Sequence, residues 1–549
     1  MRAGDSIQSR RRLLVAVVLG GVAAISVGLT GPVPAQGTTG GGAGPAGAER
    51  AVPRAGGGTV VPTGVRAPRP GDEATPVTAV GRAVPALPAD PARQRADMQA
   101  AARAAAGVRG KPGAPPRAPA APVTLSQTIA GINQAAAGGA RPPDTSVTVG
   151  PTHILEAVNS AIRVFRKSDG VVLSTRSLGN VFGNTTDFLF DPRVFYDPTW
   201  NKYVLVATRR SLSDTDPNVY MHVGVAANPA GAWTTFRVTF SGGPFQPGNW
   251  LDFPMLGMDQ DAVIISTNVF DRTPANGDNF VASSVFSIAK ARLYNGFGFN
   301  FSAFGVAFST QPPIVAGRPT QQDPNTYLAA FTNVGTGSVI LYRMTNTARP
   351  AATSVVQQAT IAIGGGVPAR DCNQPGTSAQ LDCSDPRISQ HVYQNGTSLW
   401  GVHNAAVGAG FPVVRYFELN TATNGLKQAG NVFFNGTSDD ANGAIAINSN
   451  NEAFITWTAV DAPNGGTATM RVARKAPPDP LNGTVLGGTQ VGAASTASYT
   501  DFRLGDYSQV AIDWSSYVGC PAGARAYAAN ELFTAATAWT TRIARFGGC

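Results

Sequence analysis

The chain has 549 residues, 63 of them Gly and 41 Pro, and a formal charge of +9. All of its aromatic residues (26 Phe, 7 Trp, 12 Tyr) lie at or after Phe165, so the stretch before it can bury little apolar surface against the entropy of ordering a chain. Residues 1–35 carry +3 and 36–122 carry +6, leaving 27 basic and 27 acidic residues in 123–549; with no cationic excess to track phosphates, nucleic acid is excluded as a partner of the folded part.

The first predicted element is an export signal. Arg10-Arg11-Arg12 precede an apolar run from Leu13 to Leu29 and the small-residue stretch Pro32-Val33-Pro34-Ala35. This order predicts a signal peptide over 1–35, cleaved near Ala35. A membrane anchor is the competing reading, but a run this short and this rich in Gly, Ala and Ser sits at the bottom of the spanning range. Ser9-Arg10-Arg11-Arg12-Leu13-Leu14 also resembles a twin-arginine signal. The mature chain is expected to be secreted or held at the cell surface, with no transmembrane segment left after cleavage.

Residues 36–122 are low-complexity Gly, Ala, Pro, Arg and Thr, which predicts a disordered stem. One piece carries helix signals, opened by Asp90-Pro91 and closed by Gly107. The plain role is a spacer. The alternative is that its arginines touch anionic envelope polymers.

From 123 to 549 one unit recurs. In its clearest copy Asp191-Pro192-Arg193 leads into Val194-Phe195-Tyr196, a turn at 197–202, and a second strand over Tyr203–Thr208. Strands at Val219–Val225 and Thr234–Phe240 follow. Four short strands joined by Gly, Pro and Asn turns make a propeller blade. Further copies start at Asp144, Asp252, Asp385, Asp440 and Asp506, with a degraded one near Arg318. The expected fold is all-β, a β-propeller of six or seven four-stranded blades over 123–549. The count is six if the first and last starts share a blade. A pair of β-sandwiches is the structural rival.

Pro142-Pro143-Asp144-Thr145-Ser146-Val147-Thr148-Val149-Gly150-Pro151, Asp191-Pro192-Arg193-Val194-Phe195-Tyr196-Asp197, Gly505-Asp506-Tyr507-Ser508 and Ala529-Asn530-Glu531 resemble words of secreted bacterial propeller proteins that have no assigned biochemical role. The resemblance covers roughly 140–549. It implies architecture and export, and carries no catalytic assignment. That family is similar to sialidases in blade layout only, and the sialidase Asp-box is missing from every turn here.

Four cysteines suit an oxidising compartment and allow three pairings. Cys372–Cys383 and Cys520–Cys549 are expected because each closes a short local loop. No CxxC or clustered His supports a metal, and no cofactor is expected.

A propeller places its site at the channel mouth where innermost strands begin. Asp144, Asp191, Arg193, Asp252, Asp385, Arg387, Asp440 and Asp506 are predicted there, with Arg318. Second strands return to the same mouth and bring Asn159, Asn268, Asn333, Asn404 and Asn530, with His403 and Glu531 beside them. Arg grips carboxylates bidentately, and Asn both donates to and accepts from sugar hydroxyls. Arg193 and Arg387 are expected to be solvated. The plainer alternative is that each Asp and Asn only closes a turn or ties blades together.

Two functions remain: a non-catalytic, monomeric module binding an extracellular glycan or surface protein, and a sialidase-like glycoside hydrolase. The second would use Asp191, Asp385 and Glu531, with Arg193, Arg318 and Arg387 on an anionic sugar.

Overall fold

Strand chemistry alternates with turn chemistry throughout. Asp197 illustrates the turns: its carboxylate accepts the backbone N–H of Thr199 (3.0 Å) and Trp200 (3.3 Å), and Asn201 follows at φ 49°. The computed structural model describes residues 49–68, 123–210, 217–271, 279–315, 325–332, 337–365, 369–408 and 410–549. The expected signal peptide and the helix signals at 90–107 lie outside them.

Three strands precede the repeats: β1 (Arg50–Ala51), β2 (Arg54–Arg66) and β3 (Thr124–Asn133). The first blade holds β4 (Ser146–Val149), β5 (His153–Val158), β6 (Ala161–Arg166) and β7 (Val172–Ser177). The second holds β8 (Phe188–Asp197), β9 (Lys202–Arg210), β10 (Val219–Ala226) and β11 (Trp233–Ser241). The third holds β12 (Trp250–Met258), β13 (Ala262–Phe270), β14 (Phe280–Ala289) and β15 (Phe299–Val306). The fourth holds β16 (Pro313–Val315), β17 (Thr326–Thr332), β18 (Ser338–Thr345) and β19 (Ser354–Ala362). The fifth holds β20 (Val392–Asn395), β21 (Ser398–Val407), β22 (Phe411–Asn420) and β23 (Gly425–Phe433). The sixth holds β24 (Asp439–Ile447), β25 (Ala453–Asp461) and β26 (Gly466–Lys475). After β27 (Val485–Leu486), which pairs with β23, β28 (Thr489–Gln490) completes it. The seventh is β29 (Gln509–Asp513), β30 (Arg525–Ala535) and β31 (Ala538–Gly547), with β3 as its outermost strand.

The innermost strands β4, β8, β12, β16, β20, β24 and β29 touch in that order and β29 touches β4, which closes a ring of seven. The closure is a β-propeller, and the chain's own N-terminal side seals it: β3 pairs antiparallel with β31 from Thr124↔Gly547 to Asn133↔Thr540. The sandwich rival is thereby removed. Apolar side chains pack between blades, with Trp233, Trp457 and Trp539 fully buried and their indole N–H groups donating to Pro229 O, Asp440 Oδ1 and Ala140 O.

The fourth blade is the irregular one. Pro312 and Pro313 have no N–H to give a ladder, so β16 meets β17 only through the bridge Gln311↔Ala329 and otherwise runs parallel to β12 and β20. Its innermost strand ends at Val315, before the expected start near Arg318, which lies outside the described residues.

The stem expectation fails over part of its length. Residues 50–66 form β1 and β2, and β2 lies between β11 and β15 with ladders on both edges. Only Val60 of β2 is buried, so the segment needs no core of its own and borrows that of two blades.

Both expected disulfides form, Cys372–Cys383 and Cys520–Cys549. Among the described residues no helix is long and apolar enough to cross a membrane. The two disulfides fit an oxidising, extracellular compartment.

Candidate functional site

Asp144, Asn159, Asp191, Asn404, Asp506, Asn530 and Glu531 meet in a closed network of ties between blades. The cause is a repeated β-bulge. Pairing shifts between Phe190 and Arg193 in β8, Asp252 and Met255 in β12, and Ala441 and Ala444 in β24. At each shift one residue takes a left-handed conformation: Asp191 (φ 51°), Phe253 (φ 50°) and Asn442 (φ 51°). A bulge frees a backbone N–H from the ladder, and a buried N–H must find an acceptor.

The acceptor comes from the preceding blade each time. Asn159 Oδ1 receives the Asp191 N–H (2.7 Å), Asp191 Oδ2 that of Phe253 (3.2 Å), and Asn404 Oδ1 that of Asn442 (3.1 Å). Asn268 Oδ1 likewise receives the N–H of Ser309, at φ 53° ahead of β16 (3.1 Å). Across the closure Asp144 Oδ1 receives the Asp506 N–H (2.7 Å). Asn442 donates through Nδ2 to Glu531 Oε1 (2.7 Å), and Asn530 Oδ1 accepts from the Thr458 hydroxyl (3.1 Å). Asn159, Asn268, Asn404 and Asn530, read from sequence as ligand groups, are therefore engaged with protein.

The cations differ from expectation too. Arg193 is 1% exposed, and none of its three guanidinium nitrogens has an acceptor among the described residues; it lies 4.5 Å over the Tyr507 ring. Burial draws its pKa down to about 10, against the pull of Tyr507, Asp191 and Asp144. Arg387 is paired with Asp385, stands 3.6 Å from Asp506 and stacks 4.1 Å over Phe253. Neither is the solvated arm expected, because the bulges and Tyr507 fill the space into which they would extend.

Asp440 is taken up by the Phe434 N–H, the Trp457 indole and the Ser438 hydroxyl. His403 is buried against Phe331, ring centroids 4.2 Å apart, and burial with Arg415 nearby draws its pKa to about 3. Arg318 and Asn333 lie outside the described residues.

Sequence reasoning missed Phe253, Asp382, Asn442, Arg503 and Tyr507. Tyr507 donates to Asp191 Oδ2 (2.8 Å), and Arg503 bonds Asp506 (2.7 Å). The one available signal was the Tyr within Gly505-Asp506-Tyr507-Ser508. Seven carboxyl groups (Asp144, Asp191, Asp252, Asp382, Asp385, Asp506, Glu531) thus meet three guanidiniums (Arg193, Arg387, Arg503). Burial first, then neighbouring carboxylates, pushes Asp144, Asp191 and Glu531 well above the usual range. Asp252 is raised to about 7 by burial and Asp506, and Asp382 to about 7 chiefly by burial. Buried oxygens Asp191 Oδ1, Asp252 Oδ1 and Glu531 Oε2 have no donor among the described residues, which suits carboxyls held partly protonated. A cavity of about 20 Å³ remains between Phe253, Asp382, Asp385, Arg387, Asn442 and Asp506, room for about one water. Among the described residues no group of His, Cys, Asp or Glu is placed to hold a metal ion.

Fold and mouth together define a seven-bladed β-propeller with an acidic, internally bonded channel entrance. No family model matches the chain, and no curated protein is similar to it. Among solved structures it is similar to a Trypanosoma rangeli sialidase in complex with sialic acid (10% identity, TM-score 0.34, 72% of this chain and 59% of that one). It is also similar to a Dyadobacter fermentans protein of unknown function (10%, 0.35, 66% and 95%). A third is a Xanthomonas citri GH43_1 enzyme complexed with xylose (13%, 0.28, 71% and 97%). The chain spans about three-fifths of the sialidase's length. At such identities nothing about activity passes from these proteins to this one.

Proposed function

We propose that this chain is an exported, non-catalytic binding module: a signal peptide over 1–35, a spacer, and a monomeric propeller that presents its channel mouth to an extracellular glycan or surface protein. One observation carries the reading. Each of the three carboxylates a hydrolase would need is already engaged with protein through at least one oxygen, Asp191 with Tyr507 and the Phe253 N–H, Asp385 with Arg387, and Glu531 with Asn442. The cavity beside Asp385 has room for about one water, and neither Asp191 nor Glu531 lines it, so it sets no pair of these carboxylates across a sugar ring. With most of its carboxyls held partly protonated by burial and Arg387 and Arg503 already paired, the rim suits a neutral, hydroxylated ligand better than an anionic sugar.

The hydrolase reading retains one supporting observation, that Asp252 and Asp382 are raised to about 7, as a general acid requires. The mature protein, applied to glycan arrays and to chromogenic glycosides, decides between them. Binding without turnover is expected. Turnover abolished by Asp191→Asn or Glu531→Gln would overturn the proposal.

A further inference from the structure

The side of the ring holds a second feature, independent of the mouth. β2 runs antiparallel to β11 from Trp233↔Arg66 to Ser241↔Gly57, and to β15 from Phe299↔Val60 to Phe304↔Arg54. It is a central strand in its pairing, yet residues 69–122 separate it from the propeller's next strand. Upstream, β1 continues onto β19 through Arg50↔Gln357 and Ala51↔Val356, and the Glu49 carboxylate meets Arg343 at 3.1 Å.

The slot is selective. A Cβ at Gly58 would stand 2.0 Å from Thr239 O and 2.7 Å from the Phe301 ring; at Gly57, 2.8 Å from Phe301 O; at Gly56, 2.9 Å from Ser241 O. Only glycine passes where β11 and β15 come closest. Two residues beyond Gly58, Val60 is 2% exposed and enters the apolar cluster that contains Phe236, Phe240 and Phe301. Three side-chain-free positions followed by an apolar anchor thus form a key. Emptied, the slot would present two open strand edges, the feature that captures extended peptides by strand addition.

We propose that the slot between β11 and β15 is a strand-acceptor site for an extended peptide of the pattern Gly56-Gly57-Gly58-Thr59-Val60, occupied by the chain's own segment 50–66 and exchangeable for the same segment supplied in trans. β1 and β2 lie upstream of the ring and belong to none of its seven four-stranded blades, so the segment can leave without breaking a blade.

A protease site introduced within 69–122 and then cut leaves the segment held by pairing alone. A fluorescent synthetic 49–68 peptide should then exchange into the cut protein saturably. A Gly57→Val, Gly58→Val peptide should bind at least about tenfold more weakly, equivalent to about 1.4 kcal/mol. As a second route, the uncut chain carrying Gly57→Val and Gly58→Val should take up the wild-type peptide, while the uncut wild-type chain takes up none. Equal binding of the two peptides would reduce the slot to an indifferent edge. Failure of both exchange and uptake would make β2 a permanent strand of the fold. Either result overturns the proposal.

Discussion

The tie made by Asn159 gives the sharpest test of the closed mouth. Its side chain is fully buried; Oδ1 accepts the Asp191 N–H at 2.7 Å, and Nδ2 donates to Pro142 O at 2.9 Å and to Asp144 Oδ2 at 2.6 Å. Asn159→Ala removes all three bonds and leaves the Asp191 N–H without its acceptor. Each buried group left unpaired costs roughly 1–3 kcal/mol, and the vacated volume admits a water that recovers part of it, so a loss of roughly 3–5 kcal/mol is expected. Urea unfolding measures the total, and amide exchange at Asp191 reads the site itself, since loss of its acceptor should strip protection there while β9 stays protected. A loss below about 1 kcal/mol with the Asp191 amide still protected would refute the reasoning, and would return Asn159 to the role of a solvated ligand group.

Arg387→Ala should destabilise by about 3 kcal/mol, because it leaves Asp385 without its partner in a largely buried position while Asp506 keeps Arg503; thermal melts that move little would mean the guanidinium is solvated. The propeller should become more stable as pH is lowered from about 8 to about 5. Asp252, Asp382 and Glu156 titrate near 7 in the folded chain against 3.8, 3.8 and 4.5 as ordinary groups, burial being the first cause for each. Their raised values mean that the folded state binds protons the unfolded state has released, so their stabilisation is complete below about pH 4 and is lost as pH rises through 7. Urea midpoints at several pH values check this, and a midpoint that rises between pH 5 and 8 contradicts it.

The blades were legible because their signals are local. An acidic corner, a turn rich in Asn, Gly and Pro, and runs of Val, Phe and Thr act over a few residues, and six of the seven expected starts fall within the first few residues of an innermost strand or up to seven residues ahead of it. The seventh was misplaced because β16 is announced by Pro312-Pro313 rather than by an acid, and its short ladder leaves little pattern to read. The strap was hidden for a different reason. Gly56-Gly57-Gly58 looks like a chain that cannot order itself, and by itself it has nothing to bury; its glycines are dictated by the outer strands of two blades that begin more than a hundred residues later.

The mouth shows where residue chemistry alone runs out. An amide that can hold a sugar hydroxyl can equally hold a backbone N–H, and the sequence presents Asn159, Asn268 and Asn404 identically under both readings. What separates them is φ. Asp and Asn are the non-glycine residues that best tolerate the left-handed region, so Asp191 in β8 and Asn442 in β24 were also marks of a bulge, while in β12 it is Phe253, beside Asp252, that takes that conformation. Each bulge then needs an acceptor on the blade before it, supplied by an Asn of the second strand or the turn after it for Asp191 and Asn442, and by the neighbouring innermost strand's Asp191 for Phe253. The periodic spacing of the two sets follows from that geometric need without any ligand. A ligand therefore has to be sought among groups the ties leave over: Arg193, with three buried nitrogens lacking acceptors among the described residues, and the rim around Asp382, Asp385 and Arg387.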